Sequence, residues 1–389
     1  MMKQRTQELG RIFSPFQIGY ITTYIEPLDV SSNVEWALEF IADWPETEVI
    51  PVERNGAVLG VVSKQELEKL AGSAWTRFWQ KDLDAYLIQA KEVIDATTHI
   101  SKLTEEAVVK YKNDSSVWYI VQHRRSYLGI VSLRQMMEYI NIIHSQDLAR
   151  AVEIQNHLLK KSQIKDKRFN VVFFNTMAHE VGGDFFRIYQ ASPDRYVVCC
   201  FDVAGKNISG AMTTMALGAC FSAFELFQYS GSADKMTSRV NDLLRSVNPP
   251  GIFVTAVLFY IDFGSRTIRV HNCGYSPVLI FVRNDNKISY KTSAPNMPPL
   301  GVIDNLDFSD NQIVPITKNL RICAYSDGIT DMADIYGERY GEERTTELVK
   351  QMHTLPQTEV AATMKKTIEQ WIGAASLADD ITLVDIRFF

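Results

Sequence analysis

Residues 180–218 read EVGGDFFRIYQASPDRYVVCCFDVAGKNISGAMTTMALG. The stretch has two halves, each placing an aspartate beside an apolar run. Gly182 and Gly183 set up Asp184, and the run 196–201 delivers Asp202. A loop containing Gly205 follows over 203–209, then a segment rich in small residues that predicts a closely packed helix over 211–229. Continuous apolar runs of this length predict buried strands. A carboxylate at the end of a buried strand has to be paired or bound to a cation, because an isolated buried charge is costly. Two such aspartates, one hairpin apart, predict a hard-cation site made of oxygen ligands.

The same design recurs downstream. Strands are expected over 169–175, 253–261, 268–272, 278–282 and 288–291. A further buried strand, 320–325, ends on Ser326-Asp327-Gly328. An amphipathic helix over 235–247 puts Met236, Val240, Leu243, Leu244 and Val247 on one face, and Asn248-Pro-Pro-Gly251 stops it. Another amphipathic helix covers 360–372, and Ala378-Asp379-Asp380-Ile381-Thr382 leads into a last strand. Successive strands interrupted by two central helices and one late helix predict an α+β layered sandwich. Asp184, Asp202, Asp327 and Asp379 each sit where an apolar strand begins or ends. Any one of them suits a turn; the four together point to one acidic site. Carboxylate oxygens suit a hard cation. The seven histidines are scattered.

Composition bounds the rest. The chain has 389 residues, a 46% apolar fraction and a net charge of −6, which suits two or three domains and no nucleic-acid partner. Five cysteines without a C-x-x-C pair fit a reducing compartment. With no apolar signal core or membrane span in the sequence, a soluble cytoplasmic protein is expected.

In the first third one pattern occurs twice, EVIPVERNGAVLGVVSKQEL at 48–67 and VWYIVQHRRSYLGIVSLRQM at 117–136. Each copy reads as strand, turn, strand and helix start, preceded by an amphipathic helix (34–41 and 103–111). Asn55-Gly56 is a hairpin signal, and Ser63 and Ser132 suit helix N-caps. An aromatic stretch at 74–90, with Trp75, Phe78, Trp79 and Tyr86, separates the copies. From Arg134 to Lys161 there is no Pro or Gly. Ile140, Ile143, Ala151, Ile154 and Leu158 make a stripe that fits either a parallel coiled coil or a helix packed on its own domain.

The motifs VGGDFF, FDVAGKNISGAM, FVTAVLFYID, NCGYSPVLI, PPLGV, YSDGITD, YGERYGEERT and ADDITLV occur in order over 181–384. Together they resemble the SpoIIE/RsbU-like branch of the metal-dependent (PPM) Ser/Thr phosphatases. That resemblance implies an α-β-β-α sandwich over 165–389 holding two divalent cations, Mn²⁺ or Mg²⁺, around an activated water. Asp202 would bridge the cations. Asp184 and the Val203 backbone carbonyl would complete one site, and Asp327 and Asp379 the other. Asn207, Tyr275 and Asp331 depart from the usual Gly, His and Glu, without removing a ligand. The resemblance also implies a phosphoprotein substrate, a STAS-type anti-sigma-factor antagonist.

Residues 27–137 resemble a tandem pair of cystathionine-β-synthase (CBS) domains, after an N-terminal segment (1–26) and before a connecting helix (138–164). Such pairs bind a nucleotide-like ligand, with Ser63 and Ser132 as candidate contacts, or serve as a dimerisation platform. Glu66 and Gln135 stand where the family's ribose-binding Asp would be. A homodimer is expected. Two further readings stay open: a non-catalytic sensor scaffold, and a metal-dependent phosphodiesterase.

Overall fold

A computed structural model describes residues 2–42, 48–71, 82–90, 92–112, 117–159, 166–205, 207–284, 287–310 and 312–389. They form two compact units, Met1–Asp147 and Leu148–Phe389. No helix among the described residues is long and apolar enough to cross a membrane. Trp75, Phe78 and Trp79 lie outside the described residues.

The first unit starts with α1 (Met2–Ile12) and α2 (Ile18–Ile21), then runs through one order twice. The first copy is β1 (Leu28–Asp29), α3 (Val34–Ala42), β2 (Val49–Arg54), β3 (Ala57–Ser63) and α4 (Lys64–Ala71). After β4 (Ile88–Gln89) the second copy is β5 (Val93–Asp95), α5 (Ile100–Tyr111), β6 (Trp118–His123), β7 (Ser126–Ser132) and the start of α6 (Leu133–Leu159), whose residues from Leu148 on belong to the second unit. In each copy the opening strand is parallel to the next, and the following hairpin is antiparallel. Both hairpins slip register at the same place, after the pairs Val52↔Gly60 and Val121↔Gly129. A repeated bulge gives both hairpins the same local twist. Asn55 and Gly56 take the positive φ values of 55° and 79° that their turn needs. In the second copy Arg124 and Arg125 take φ of 50° and 65° without a glycine.

The second unit contains β8 (Phe169–Thr176), β9 (Asp184–Ser192), β10 (Arg195–Val203), α7 (Asn207–Leu226), α8 (Ala233–Val247), β11 (Val254–Asp262) and β12 (Thr267–Cys273). It continues with β13 (Val278–Asn284), β14 (Lys287–Ser293), β15 (Gln312–Pro315), β16 (Leu320–Tyr325), α9 (Gly328–Asp331), α10 (Gly341–His353), α11 (Val360–Ile372) and β17 (Ile381–Phe388). The strands build two antiparallel sheets, ordered β15-β12-β11-β10-β9 and β14-β13-β16-β17-β8.

Alternation along the strands explains the layers. On β10, Tyr196, Val198 and Cys200 meet Ile322, Ala324, Val384 and Ile386 of the other sheet. The intervening Val197, Cys199, Phe201 and Val203 pack under α7 and α8 with Leu217, Phe221, Val240 and Leu244. Leu279, Phe281, Cys323, Leu383 and Ile381 face α10 and α11 through Leu348, Val349, Met364 and Ile368. Each fully buried Leu, Ile or Phe contributes about 1.5–3 kcal/mol. The layers therefore run helix, sheet, sheet, helix. Helix α10 was not among the expected elements. Thr345, Leu348, Val349 and Met352 form its buried face, but Glu342, Glu343, Arg344 and Glu347 mask that face in the sequence.

Candidate active site

Period-two alternation also aims the acidic side chains. Asp202 continues the even-numbered face of β10 toward the second sheet, and Asp184 is its direct partner across the β9–β10 ladder. Thr255 of β11 is paired with Asp202 on the other side, and its hydroxyl donates to the Asp202 carboxylate at 3.4 Å. From the second sheet, Asp327 follows β16 at the start of α9, and Asp379 stands just before β17. The strands β16 and β17 are neighbours, with Tyr325 opposite Leu383. Ser326 ties their ends: its amide donates to Thr382 O (2.9 Å), and its hydroxyl accepts from the Thr382 amide (2.8 Å).

A side-chain hydrogen bond links the two sheets at the site. Thr382 Oγ1 donates to Asp184 Oδ2 at 2.6 Å, and Asn175 Nδ2 donates to the same threonine at 2.9 Å. Asp184 is buried while Asp202 is half-buried and Asp327 exposed. Asp202 and Asp327 line a pocket of about 230 Å³ together with Thr255, Tyr275, Thr330 and Glu342. Among the described residues no three acidic, histidine or cysteine side chains close into a finished cation cage. Asp202 and Asp327 both line the pocket, one from each sheet.

Their electrostatics are those of crowded acids. Burial, then the charge of Asp202, pushes the Asp184 carboxyl well above the usual carboxylate range. Burial, then Asp327 and Asp379, lifts Asp202 to about 7. A divalent cation would relieve both effects, since opposite charge favours the ionised form. The all-oxygen donor set and this mutual repulsion fit a hard cation.

Several site-building residues have no counterpart in the expected ligand set. Asp380 is buried and acts as an internal brace. Its carboxylate accepts from the amides of Ala178 (2.8 Å), Gly183 (2.7 Å) and, more weakly, Asp184 (3.4 Å). Asp379 is half-buried, and its Oδ1 accepts from the Asp380 amide. A Cβ on Gly182 would collide with the Asp380 carboxylate, and one on Gly328 with the Asp380 carbonyl; only glycine allows so close an approach. From α6, buried Gln155 donates to Gly182 O (2.7 Å) and Thr214 Oγ1 (2.9 Å), and its Oε1 accepts from the Gly182 amide (3.0 Å). Fully buried Arg187 of β9 donates to Leu158 O at the end of the same helix (3.1 Å) and to Glu225 (3.0 Å). The D-D-I-T spacing was a usable signal for Thr382; the spacing around Gln155 was not.

Away from this site, Ser132 forms a capping box with Gln135. Each backbone amide donates to the other's side chain, at 2.9 and 3.0 Å. Ser63 closes β3 and is half-buried.

The helix–sheet–sheet–helix unit has the protein phosphatase 2C (PP2C) fold. The SiaA-PP2C domain of Pseudomonas aeruginosa superposes with a TM-score of 0.54 at 21% identity, over 64% of this chain and 99% of that one. Residues 192–389 match the family described as Stage II sporulation protein E (SpoIIE), and the chain belongs to that family. The phosphoserine phosphatase RsbP of Bacillus subtilis (strain 168) is 26% identical over 189 residues, 48% of this chain and 45% of RsbP. The chain thus matches a little under half the length of that relative. The PP2C phosphatase domain of SpoIIE from Bacillus subtilis, solved with a fragment of its regulatory domain, gives a TM-score of 0.45 at 17% identity, over 58% of this chain and 64% of that one.

Proposed function

We propose that this chain is a divalent-cation-dependent serine/threonine phosphoprotein phosphatase. The observation that carries the reading is the cross-strand pair Asp184↔Asp202, set opposite Asp327 and Asp379 at the open edge between two sheets. Membership of the SpoIIE family and the similarity to a phosphoserine phosphatase support it.

Asp202, flanked by acids on both sheets, would hold two Mn²⁺ or Mg²⁺ ions. Asp184 and the Val203 carbonyl would complete one coordination sphere, Asp327 and Asp379 the other. When bound, such ions supply a nucleophilic water at neutral pH and charge stabilisation for the phosphoryl oxygens. Thr382 and Thr255 orient the Asp184 and Asp202 carboxylates by donating to them. Asp380 and Gln155 hold the 178–184 backbone that delivers Asp184. The pocket mouth, with Thr330 and Glu342 on its wall, would receive the phosphorylated side chain.

The substrate we propose is a phosphoserine or phosphothreonine on a STAS-type anti-sigma-factor antagonist, in cytoplasmic partner-switching signalling. The repeated β-α-β-β-α order of the first unit supports a CBS-domain pair as the regulatory module. Its ligand would be nucleotide-like, with Ser63 and Ser132 near it. A homodimer formed through the exposed middle of α6, where Ile142 is 54% exposed, belongs to the same proposal.

Replacing Asp202 or Asp327 by Asn should abolish Mn²⁺-dependent phosphate release from a phosphoserine protein while circular dichroism stays unchanged. Full activity in either variant would refute the assignment. Running small phosphodiesters in parallel separates the phosphodiesterase reading, and inactivity on both substrates despite Mn²⁺ binding would favour a scaffold.

A further inference from the structure

The pocket beside Asp202 and Asp327 is small, about 230 Å³, against roughly 300–1,000 Å³ for sites that enclose a drug-sized ligand. It has room for one phosphorylated side chain and little of what flanks it. The described residues that line it include three carboxylates, Asp202, Asp327 and Glu342, and no lysine, arginine or histidine. Bound cations would hold the phosphate there, and every phosphoserine carries the same phosphate. Selection of one phosphoprotein over another therefore needs contacts outside the pocket.

Between α9 and α10 the segment 332–340 folds into a small hairpin. The Tyr340 amide donates to Met332 O (2.9 Å), Ala333 bridges Arg339, and the Asp334 amide donates to Glu338 O (3.0 Å). Asp334 also fixes the tip. Its carbonyl accepts from the Gly337 amide at 3.0 Å, and its Oδ1 accepts from the amides of Tyr336 and Glu338, both at 2.8 Å. Gly337 takes the positive φ of 82° that the turn needs. The tip so fixed carries two large side chains outward, Ile335 at 61% and Tyr336 at 87% exposure. Arg339 pairs with Asp331 and Glu338 with Arg344, so the charges beside the tip are engaged within the chain.

The hairpin starts and ends at the pocket. Thr330 and Glu342, both on the pocket wall, each lie two residues outside its outer rung. Tyr336 is six residues from each, at most about 20 Å along an extended chain. A typical protein–protein footprint of about 800 Å² is roughly 30 Å across, so a folded protein seated over the pocket also covers the hairpin. A small phosphoester in the pocket does not. Tyrosine is a common anchor of such contacts, and a tip already ordered loses little freedom on docking.

We infer that Ile335 and Tyr336 are specificity-determining residues that dock an apolar patch of the folded phosphoprotein substrate beside its phosphorylated side chain. This inference rests on the phosphatase reading above. The contact is apolar rather than ionic, because the hairpin's own charges are paired.

The test is the double variant Ile335→Ser/Tyr336→Ser in the full chain, with Tyr336→Phe as the conservative control. Both side chains are exposed, so the melting temperature should not change. Three probes are compared in saturating Mn²⁺: a serine-phosphorylated STAS-domain protein, a short peptide carrying the same phosphoserine, and p-nitrophenyl phosphate. The expected result for the double variant is kcat/KM lower by about 10–100-fold on the intact phosphoprotein, through KM. The peptide and the small ester should stay within about twofold of wild type, and Tyr336→Phe should retain most activity on all three. Equal kcat/KM on the phosphoprotein would overturn the inference. So would an equal loss on all three probes, which would make the hairpin a support of the pocket, or a loss that tracks a change in molar mass by light scattering, which would make the tip a contact between copies. If the unaltered chain hydrolyses none of the probes, the phosphatase reading fails. Calorimetric binding of the phosphoprotein then decides the docking role: weaker binding by the double variant supports it, and equal or absent binding overturns it.

Discussion

The adjacent aspartates Asp379 and Asp380 should respond in opposite ways to the same substitution. Asp380 accepts two short hydrogen bonds, from Gly183 at 2.7 Å and Ala178 at 2.8 Å, and a longer one from Asp184. Hydrogen bonds to a charged acceptor contribute about 1.5–3 kcal/mol each. Asparagine keeps one acceptor oxygen and turns an NH₂ toward an amide N–H. Asp380→Asn should therefore lose about 2–4 kcal/mol, a large share of the roughly 5–15 kcal/mol typical of a domain. With a urea slope of about 3 kcal/mol per molar, the midpoint would fall by about 1 M. Amides in 178–184 should also lose protection from hydrogen exchange. Asp379→Asn should leave the urea midpoint nearly unchanged and weaken Mn²⁺ binding instead. Urea unfolding, exchange mass spectrometry and Mn²⁺ calorimetry on both variants provide the readout. The reverse pattern, with Asp380→Asn stable but unable to bind Mn²⁺ and Asp379→Asn normal, would refute the assignment of brace and ligand.

Two more outcomes follow from the same geometry. Asp184 and Asp202 have raised folded-state pKa values, the latter about 7, so the folded chain holds protons that the unfolded chain releases near 4. In EDTA their contribution to stability is greatest below about pH 4 and is lost as pH rises toward 7. The melting temperature in EDTA should fall over that range and Mn²⁺ affinity should increase; a Mn²⁺ affinity independent of pH would count against these carboxylates as ligands. Gln155→Leu removes three hydrogen bonds and strands the Gly182 amide and carbonyl, which should cost about 2–4 kcal/mol and reduce phosphate release. Wild-type urea stability in that variant would show that α6 does not brace the site.

Much of the second unit was legible because alternation and apolar runs are local. The run 320–325 is β16 and the amphipathic segment 360–372 is α11, with the same bounds. Asp202 was readable for the same reason: a charge at the end of a buried strand is conspicuous. Less was legible where polarity is satisfied over long distances. The stripe read along α6 included Ile154, which is 49% exposed, whereas the buried member of that turn is Gln155 at 2%. Hydropathy treats glutamine as surface, and only the fold reveals that Gly182 and Thr214 satisfy it. Helix α10 escaped because its charged face outweighs its apolar one over so short a length. The Asp379–Asp380 pair could be ordered only by resemblance; the backbone amides that distinguish them come from about 200 residues earlier in the chain.

The Thr382–Asp184 bond spans the seam between the two sheets, and each sheet brings only half of the acidic set. Neither half would be competent alone, so catalytic power would appear only after the two sheets have docked. A partly folded chain, or one whose layers have slipped apart, would be silent rather than indiscriminate. For the phosphatase proposed above, that would make correct assembly the first checkpoint, ahead of any ligand or partner.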